Sequence, residues 1–317
     1  MLPSEILGTS LDGDICCGNS DQYLNMIKKG KDYRRSRPDV VSYVDHHFPH
    51  AVVDSKGNWY ADTAPFFAPR RKFASIEIAF VFNTDLNYYP GLVVALRSLL
   101  EHHPDTPVVI IERDLSDIQK RYLMQFAEVV PSRRFIPDHV AWDRFEATFL
   151  KYHRVVFLDC DIVVLRPLDA FIHTQAHFAA VKNLDWKVRE NFRSEKTLKK
   201  YKISPDKPAF FAGGFSLDNQ VWGNGKLFEQ AAELYGQDWE DFLYGDQSAL
   251  QILMYRNHGE ITLIPDEYNA LAECWDWGQS RHLARVVHYT GEWKPWHPQS
   301  CQAEEDYFFH YSKIVKT

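Results

Sequence analysis

From Ile76 onward, short apolar runs alternate with stretches in which apolar residues recur at helical spacing. The run Ile76-Glu77-Ile78-Ala79-Phe80-Val81-Phe82 predicts a strand that stops at Asn83-Thr84-Asp85. Residues 89–102 predict a helix, with Pro90 near its start and Leu92, Ala95, Leu96 and Leu99 on one face. Residues 107–111 predict a second strand, and 116–126 a helix with Ser116 as its cap. A further strand is predicted at 128–130 and a helix at 140–151. Strands that alternate with helices imply an α/β layer with a largely parallel sheet flanked by helices. In such sheets ligands lie beyond the carboxyl ends of the strands, so Asp85 and Asp159 should meet on one edge.

The next apolar run, Val155 to Leu158, ends in Asp159-Cys160-Asp161, and another, Ile162 to Leu165, follows at once. An unpaired carboxylate is too costly to bury in a strand, so these acids belong at a strand end beside something positive. At i and i+2 in extended chain both point to one side, with Cys160 packed on the other. Two converging carboxylates make a seat for a hard divalent cation; the plainer alternative is that they cap a turn before Pro167. Downstream, 177–181 predicts a strand, and the polar stretch 182–207 reads as a mobile flap. Residues 210–217 form an apolar strand whose glycines permit close approach of a ligand or backbone. Helices are predicted at 221–235 and 245–257, and the last strands at 261–264 and 285–288.

Composition narrows the class. The 317 residues, 45% hydrophobic and 15% aromatic, suffice for one large domain or two with a substantial core. A net charge of -7 argues against a general nucleic-acid binder. The 5 cysteines follow no framework spacing and include no C-x-x-C pair, which suits free thiols in a reducing compartment and disfavours a cysteine-rich zinc site. Residues 1–14 lack the pattern of a signal peptide, and no apolar segment approaches the roughly 20 residues that span a bilayer. The expectation is a soluble, cytoplasmic protein that remains free to touch a membrane surface. Residues 1–75 are irregular, with a basic cluster at Lys28, Lys29, Lys31, Arg34, Arg35 and Arg37. Within them, 43–73 is rich in His, Pro and aromatics, as an ordered arm or as an acceptor-binding or oligomerisation element.

Four segments, in order, carry a family resemblance: Phe82-Asn83-Thr84-Asp85-Leu86-Asn87-Tyr88, Phe157-Leu158-Asp159-Cys160-Asp161, Tyr244-Gly245-Asp246-Gln247-Ser248-Ala249-Leu250 and His288-Tyr289-Thr290-Gly291-Glu292-Trp293-Lys294-Pro295-Trp296. An Asp-x-Asp alone is weak; the closing motif is specific. From about residue 76 to 301 the chain resembles retaining glycosyltransferase family 8, which includes bacterial lipopolysaccharide galactosyl- and glucosyltransferases and glycogenin. The resemblance implies a GT-A fold, a Rossmann-like and mostly parallel sheet flanked by helices. It divides the chain into an N-terminal extension (1–75), a catalytic domain (76–301) and a tail (302–317). It also implies transfer of a hexose from a UDP-sugar donor to a glycan or lipid-linked acceptor, with Mn2+ or Mg2+ as cofactor.

By the same resemblance, Asp159, Asp161 and His288 hold the metal, and Asp85, Asn87 and Tyr88 contact the nucleoside. Arg144 contacts the donor. Gly291 lets the chain approach the diphosphate, and Lys294 grips it as a point charge. Asp185 reaches donor-sugar hydroxyls, and Asp246 and Gln247 lie beneath the anomeric carbon. Gln is a poor nucleophile, which favours same-face departure and attack over a covalent intermediate. Plainer readings exist: Asp85 as a charge at a helix start, Arg144 and Asp185 as surface charges, Asp246 as a helix cap. Trp275, Trp277, Trp293 and Trp296 suit either an acceptor groove or ordinary packing. One position departs from the family: Phe211 stands where Asn is usual. Two rival classes share part of the pattern, a haloacid-dehalogenase-type phosphatase and a non-catalytic sugar-nucleotide-binding protein.

Overall fold

The computed structural model describes residues 51–53, 59–61, 77–137, 139–258, 261–272, 283–290 and 294. Two short strands in the extension, β1 (Ala51–Val53) and β2 (Trp59–Ala61), pair antiparallel. The main body then runs β3 (Ile78–Thr84), α1 (Tyr89–His102), β4 (Val108–Glu112), α2 (Asp117–Leu123), β5 (Glu128–Pro131), a 3-10 helix (Val140–Phe149), β6 (Arg154–Leu158) and β7 (Ile162–Val164). It continues through α3 (Asp169–Ile172), β8 (Phe178–Lys187), α4 (Lys196–Lys200), β9 (Pro208–Asp218), α5 (Asn219–Trp222), α6 (Lys226–Asp238) and α7 (Gly245–His258). The last strands are β10 (Thr262–Ile264), β11 (Ala270–Leu271) and β12 (Val286–His288).

Seven strands form one sheet in the order β10-β8-β9-β6-β3-β4-β5. Only β9 runs against the rest, pairing antiparallel with both neighbours. The mixed α/β layer with a mostly parallel sheet therefore stands as read from the alternation of elements. A smaller sheet, β11-β12-β7, joins a segment late in the chain to the strand that follows the two acids. Leu158 ends β6 in the large sheet and Ile162 begins β7 in the small one, so Asp159-Cys160-Asp161 is the crossing between sheets. The carboxyl ends of the adjacent parallel strands β3 and β6 deliver Asp85 and Asp159 to the same edge.

Two cores flank the large sheet. One packs Phe157, Phe178, Phe210 and Phe215 with Trp142, Phe145 and α7; the other packs Phe80, Phe82 and Leu158 with α1. Ser116 caps α2 through a capping box with Gln119, as its position before an amphipathic run suggests. Three expectations change. The predicted helix at 140–151 is a 3-10 helix, in which side chains three apart stack in columns. Its columns serve different neighbours: Trp142 and Phe145 enter the core, Asp143 pairs with Arg113, and Glu146 accepts from the backbone N–H of Arg133. The third column aims Arg144 at Asp159 and Asp246. The predicted helix at 221–235 is two helices, α5 and α6, separated at Gly225, whose φ of 79° favours glycine. Residues 182–207, expected as a mobile flap, instead extend β8 to Lys187 and pack Val188 and Leu198 into the core. The polar composition of that stretch hid this, because its buried residues include the polar Asn183, Asn191 and Thr197.

Among the described residues no helix is long and apolar enough to cross a membrane. Phe215 is fully buried and stacks on Phe157 with ring centroids 5.2 Å apart. Phe215→Ala should cost about 3–5 kcal/mol, read as a lower midpoint in urea unfolding; a loss under about 1 kcal/mol would contradict this packing.

Candidate active site

The register of β12 on β7 sets His288 opposite Ile162, and the N–H of Tyr289 donates to the carbonyl of Asp161 at 2.9 Å. The imidazole therefore arrives beside the Asp-Cys-Asp crossing although it lies far along the chain. His288 Nε2 is 3.1 Å from Asp161 Oδ1 and 3.9 Å from Asp159 Oδ2. One ligand atom from each of the three residues lies within 4.8 Å of the others. Cys160 faces away, buried, with its thiol donating to the carbonyl of Asn83; burial pushes that thiol's pKa well up.

Three basic groups face the acids. Lys294, 5% exposed, donates to Asp161 Oδ2 at 2.5 Å and to the carbonyl of Tyr289 at 3.0 Å. Arg144 Nη2 lies 3.0 Å from Asp159 Oδ1, and its Nε lies 2.8 Å from Asp246 Oδ2. Burial on its own would raise the Asp161 carboxyl, but Lys294 and His288 outweigh it and hold that group well below the ordinary carboxylate range. Burial tends to lower the pKa values of His288 and Lys294, and the Asp161 charge overrides it, so both hold their protons more tightly than usual. Asp246 moves upward, because burial outweighs the pull of Arg144.

Backbone fixes the rest. The N–H of Asp159 donates to the carbonyl of Gly213 on β9. A Cβ on Gly213 would lie 2.6 Å from Asp159 Oδ2 and 2.8 Å from His288 Cε1, so glycine keeps open the space between these groups. Gln247 is held at both ends: its Oε1 accepts from the N–H of Ala212 at 3.1 Å and its Nε2 donates to Asn191 Oδ1 at 2.9 Å. Asp85 Oδ1 accepts from the N–H groups of Asn87 and Tyr88, which shapes the turn into α1. The Tyr88 ring lies 5.9 Å from Lys294 Nζ.

Asp159, Asp161, His288, Lys294, Arg144 and Asp246 thus form one cluster, with Gln247 of α7 bonded to the adjoining stretch of β9 and Tyr88 beside Lys294. Asp185 is fully exposed and bound to Lys182; among the described residues no hydrogen bond or ion pair joins it to the cluster. Gly291, together with Trp275, Trp277, Trp293 and Trp296, lies outside the described residues. Two buried residues were not singled out by sequence. Asn269 Oδ1 lies 3.0 Å from His288 Nδ1, and Asn191 holds Gln247. Each belongs to no motif and has no telling spacing, so only proximity in the fold identifies it.

Comparison with known proteins bears on the family and the fold. A model of glycosyl transferase family 8 matches residues 138–300. A lipopolysaccharide 1,2-glucosyltransferase of Escherichia coli K12 is 23% identical over 264 residues, covering 72% of this chain and 75% of that protein. The glycosyltransferase GlyE of Streptococcus pneumoniae is 22% identical, and the match covers 74% of this chain and 60% of GlyE. Among solved structures, the galactosyltransferase LgtC in complex with donor and acceptor sugar analogues matches at a TM-score of 0.62 and 21% identity, over 75% of this chain and 96% of that one. The bifunctional WbbM matches at 0.59 and 18%, over 78% of this chain and 52% of its own. This likeness shows a GT-A fold.

Lys294→Met tests the charge balance. A depressed native carboxyl contributes stability in full above its unfolded pKa, near 3.9, and loses it as pH falls from there toward the native value. Removing Lys294 raises the native Asp161 pKa, so the decline of thermal midpoint with acid should be shallower in the variant. At pH 7 the variant should be less stable by about 3–5 kcal/mol. Equal acid slopes in the two proteins would refute the assigned pairing.

Proposed function

The chain belongs to glycosyltransferase family 8, and on that premise we propose that it moves a hexose from a UDP-sugar to a glycan, lipid-linked or other hydroxyl acceptor. We further propose that configuration is retained and that a divalent cation assists. Family membership leaves the phosphatase alternative without support. The observation that carries the reading is the convergence of Asp159, Asp161 and His288 around the space that Gly213 leaves open. Two carboxylates and an imidazole suit Mn2+ or Mg2+ better than a thiol-seeking metal. Held by those three residues, the cation would supply positive charge opposite the departing diphosphate.

The remaining roles belong to the chain itself. Lys294 offers a buried ammonium to a diphosphate oxygen, and Gly291 would let the backbone approach it. Arg144 holds Asp159 and Asp246 in one orientation. Tyr88 packs on the base while Asp85 and Asn87 bind the nucleoside. Asp185 would have to leave Lys182 to reach a sugar hydroxyl. Asp246 is engaged by Arg144, and both ends of the Gln247 amide are bound. Neither is poised as a nucleophile, which supports same-face substitution. In that step the bond between the anomeric carbon and the β-phosphate oxygen breaks, and the oxygen keeps the electron pair. The acceptor hydroxyl attacks from the same side and passes its proton to that oxygen. Residues 76–301 constitute the catalytic domain in this reading, with 1–75 and 302–317 as additions.

A thermal-shift panel of nucleotide sugars tests the reading. UDP with Mn2+ should stabilise the full chain more than either alone, and EDTA should remove the gain. Asp161→Ala and the milder Asp159→Asn should lower transfer at least about a hundredfold. Undiminished activity in both variants, with Mn2+ chelated, would refute the metal assignment.

Asn269 generates a separate prediction. Its carbonyl oxygen accepts from His288 Nδ1–H, which leaves Nε2 as the ligating nitrogen. Asn269→Ala should weaken Mn2+ binding by about tenfold or more, measured by calorimetry on the metal-stripped protein. Unchanged affinity would show that Asn269 has no part in orienting the imidazole.

A further inference from the structure

Among the described residues the two cores leave one small apolar cluster apart from both: Phe211 and Leu271, buried, with Leu184 packed on them. Its location ties it to the site. Along β9, Phe211 lies between Phe210 and Ala212, which belong to the core containing Trp142, and two residues before Gly213. A Cβ at Gly213 would touch Asp159 and His288. Leu271 stands opposite His288 in the register of β11 on β12. Leu271 is therefore the register partner of a group of the acid–imidazole cluster, and Phe211 packs on Leu271. Leu184 reaches them from β8, where the pairing with β9 slips, and it holds a left-handed φ of 44°. That conformation is unfavourable for a leucine, and here it accompanies a side chain packed on Phe211 while the following Asp185 faces solvent.

A donor whose diphosphate lies at Asp159, Asp161 and His288 has its anomeric carbon one bond beyond the phosphate. The ring substituent nearest that carbon is the one at C2. A wall of Phe211, Leu184 and Leu271 beside the diphosphate offers that substituent no hydrogen-bonding side chain. A hydroxyl pressed against it would lose its bonds to water without replacement, whereas the methyl of an acetamido group would pack on the ring face.

We infer that Leu184, Phe211 and Leu271 line the donor-sugar pocket and select a UDP-sugar with an acetamido group at C2, a UDP-N-acetylhexosamine. The inference rests on the UDP-sugar reading above and specifies its sugar. Calorimetry on the full chain with Mn2+ would compare UDP, UDP-glucose, UDP-galactose, UDP-N-acetylglucosamine and UDP-N-acetylgalactosamine. One of the acetamido donors should bind at least about tenfold more tightly than either plain hexose donor, in line with what one apolar contact discriminates. Phe211→Asn should bring that ratio close to one or reverse it while UDP affinity stays unchanged. Phe211→Leu, which keeps the wall apolar, should preserve the preference. If no uridine nucleotide binds, the UDP-sugar reading falls and this inference with it. If UDP binds and the plain hexoses bind equally well or better, or if Phe211→Asn leaves the ratio unmoved, this inference alone is overturned. The wild-type ratio decides the matter even if Phe211→Asn does not fold.

Discussion

The architecture turns on placing two acids side by side at the mouth of an apolar fold. Asp161 is largely buried and Asp159 partly so, and desolvation raises the pKa of a lone buried acid. Three basic groups face the pair: Arg144 from the 3-10 helix on Asp159, and His288 from β12 and Lys294 from the chain beyond on Asp161, whose pKa they hold down. No single segment could supply all three, so the site exists only when distant pieces of chain are docked. Its electrostatics and its folding are therefore one problem.

Backbone pairing solves that problem geometrically. The large sheet ends β6 at Asp159, and the small sheet begins β7 just after Asp161, so the acids lie in the crossing. Antiparallel pairing of β12 on β7 then fixes His288 to within one residue, because a slip of one position would turn its side chain to the opposite face. The reversed strand β9 adds the third wall. Its carbonyl at Gly213 anchors Asp159, its carbonyl at Ala212 accepts from Arg144, and its Phe211 meets Leu271 and Leu184. One strand thus touches the acid cluster, the arginine and the apolar corner.

Much of this was legible in the chain. The periods of β3, α1, β4 and β6 were plain because each buries a continuous run or one regular face. The stretch 182–207 was not, since polar residues, Asn183, Asn191 and Thr197, share its buried positions with Val188, Phe192 and Leu198. The 3-10 helix at Val140–Phe149 was read as an ordinary helix because its contacts lie in three directions at once, and no single apolar stripe marks it. Asn191 and Asn269 were invisible for a different reason. An amide acts here only through what it touches, and neither asparagine carries a spacing that reveals its partner.

The sequence by itself determined the α/β alternation, the strand end at Asp159 and the pairing of two acids on one side, because these follow from local period and from the cost of burying charge. It also carried the four ordered segments that mark the family. Tertiary structure alone decided which basic groups meet those acids, that Lys294 is buried on Asp161, and that Phe211 packs on Leu271, the register partner of His288. Those outcomes depend on strand register and sheet order, which join residues far apart in the chain and leave no trace in any local window.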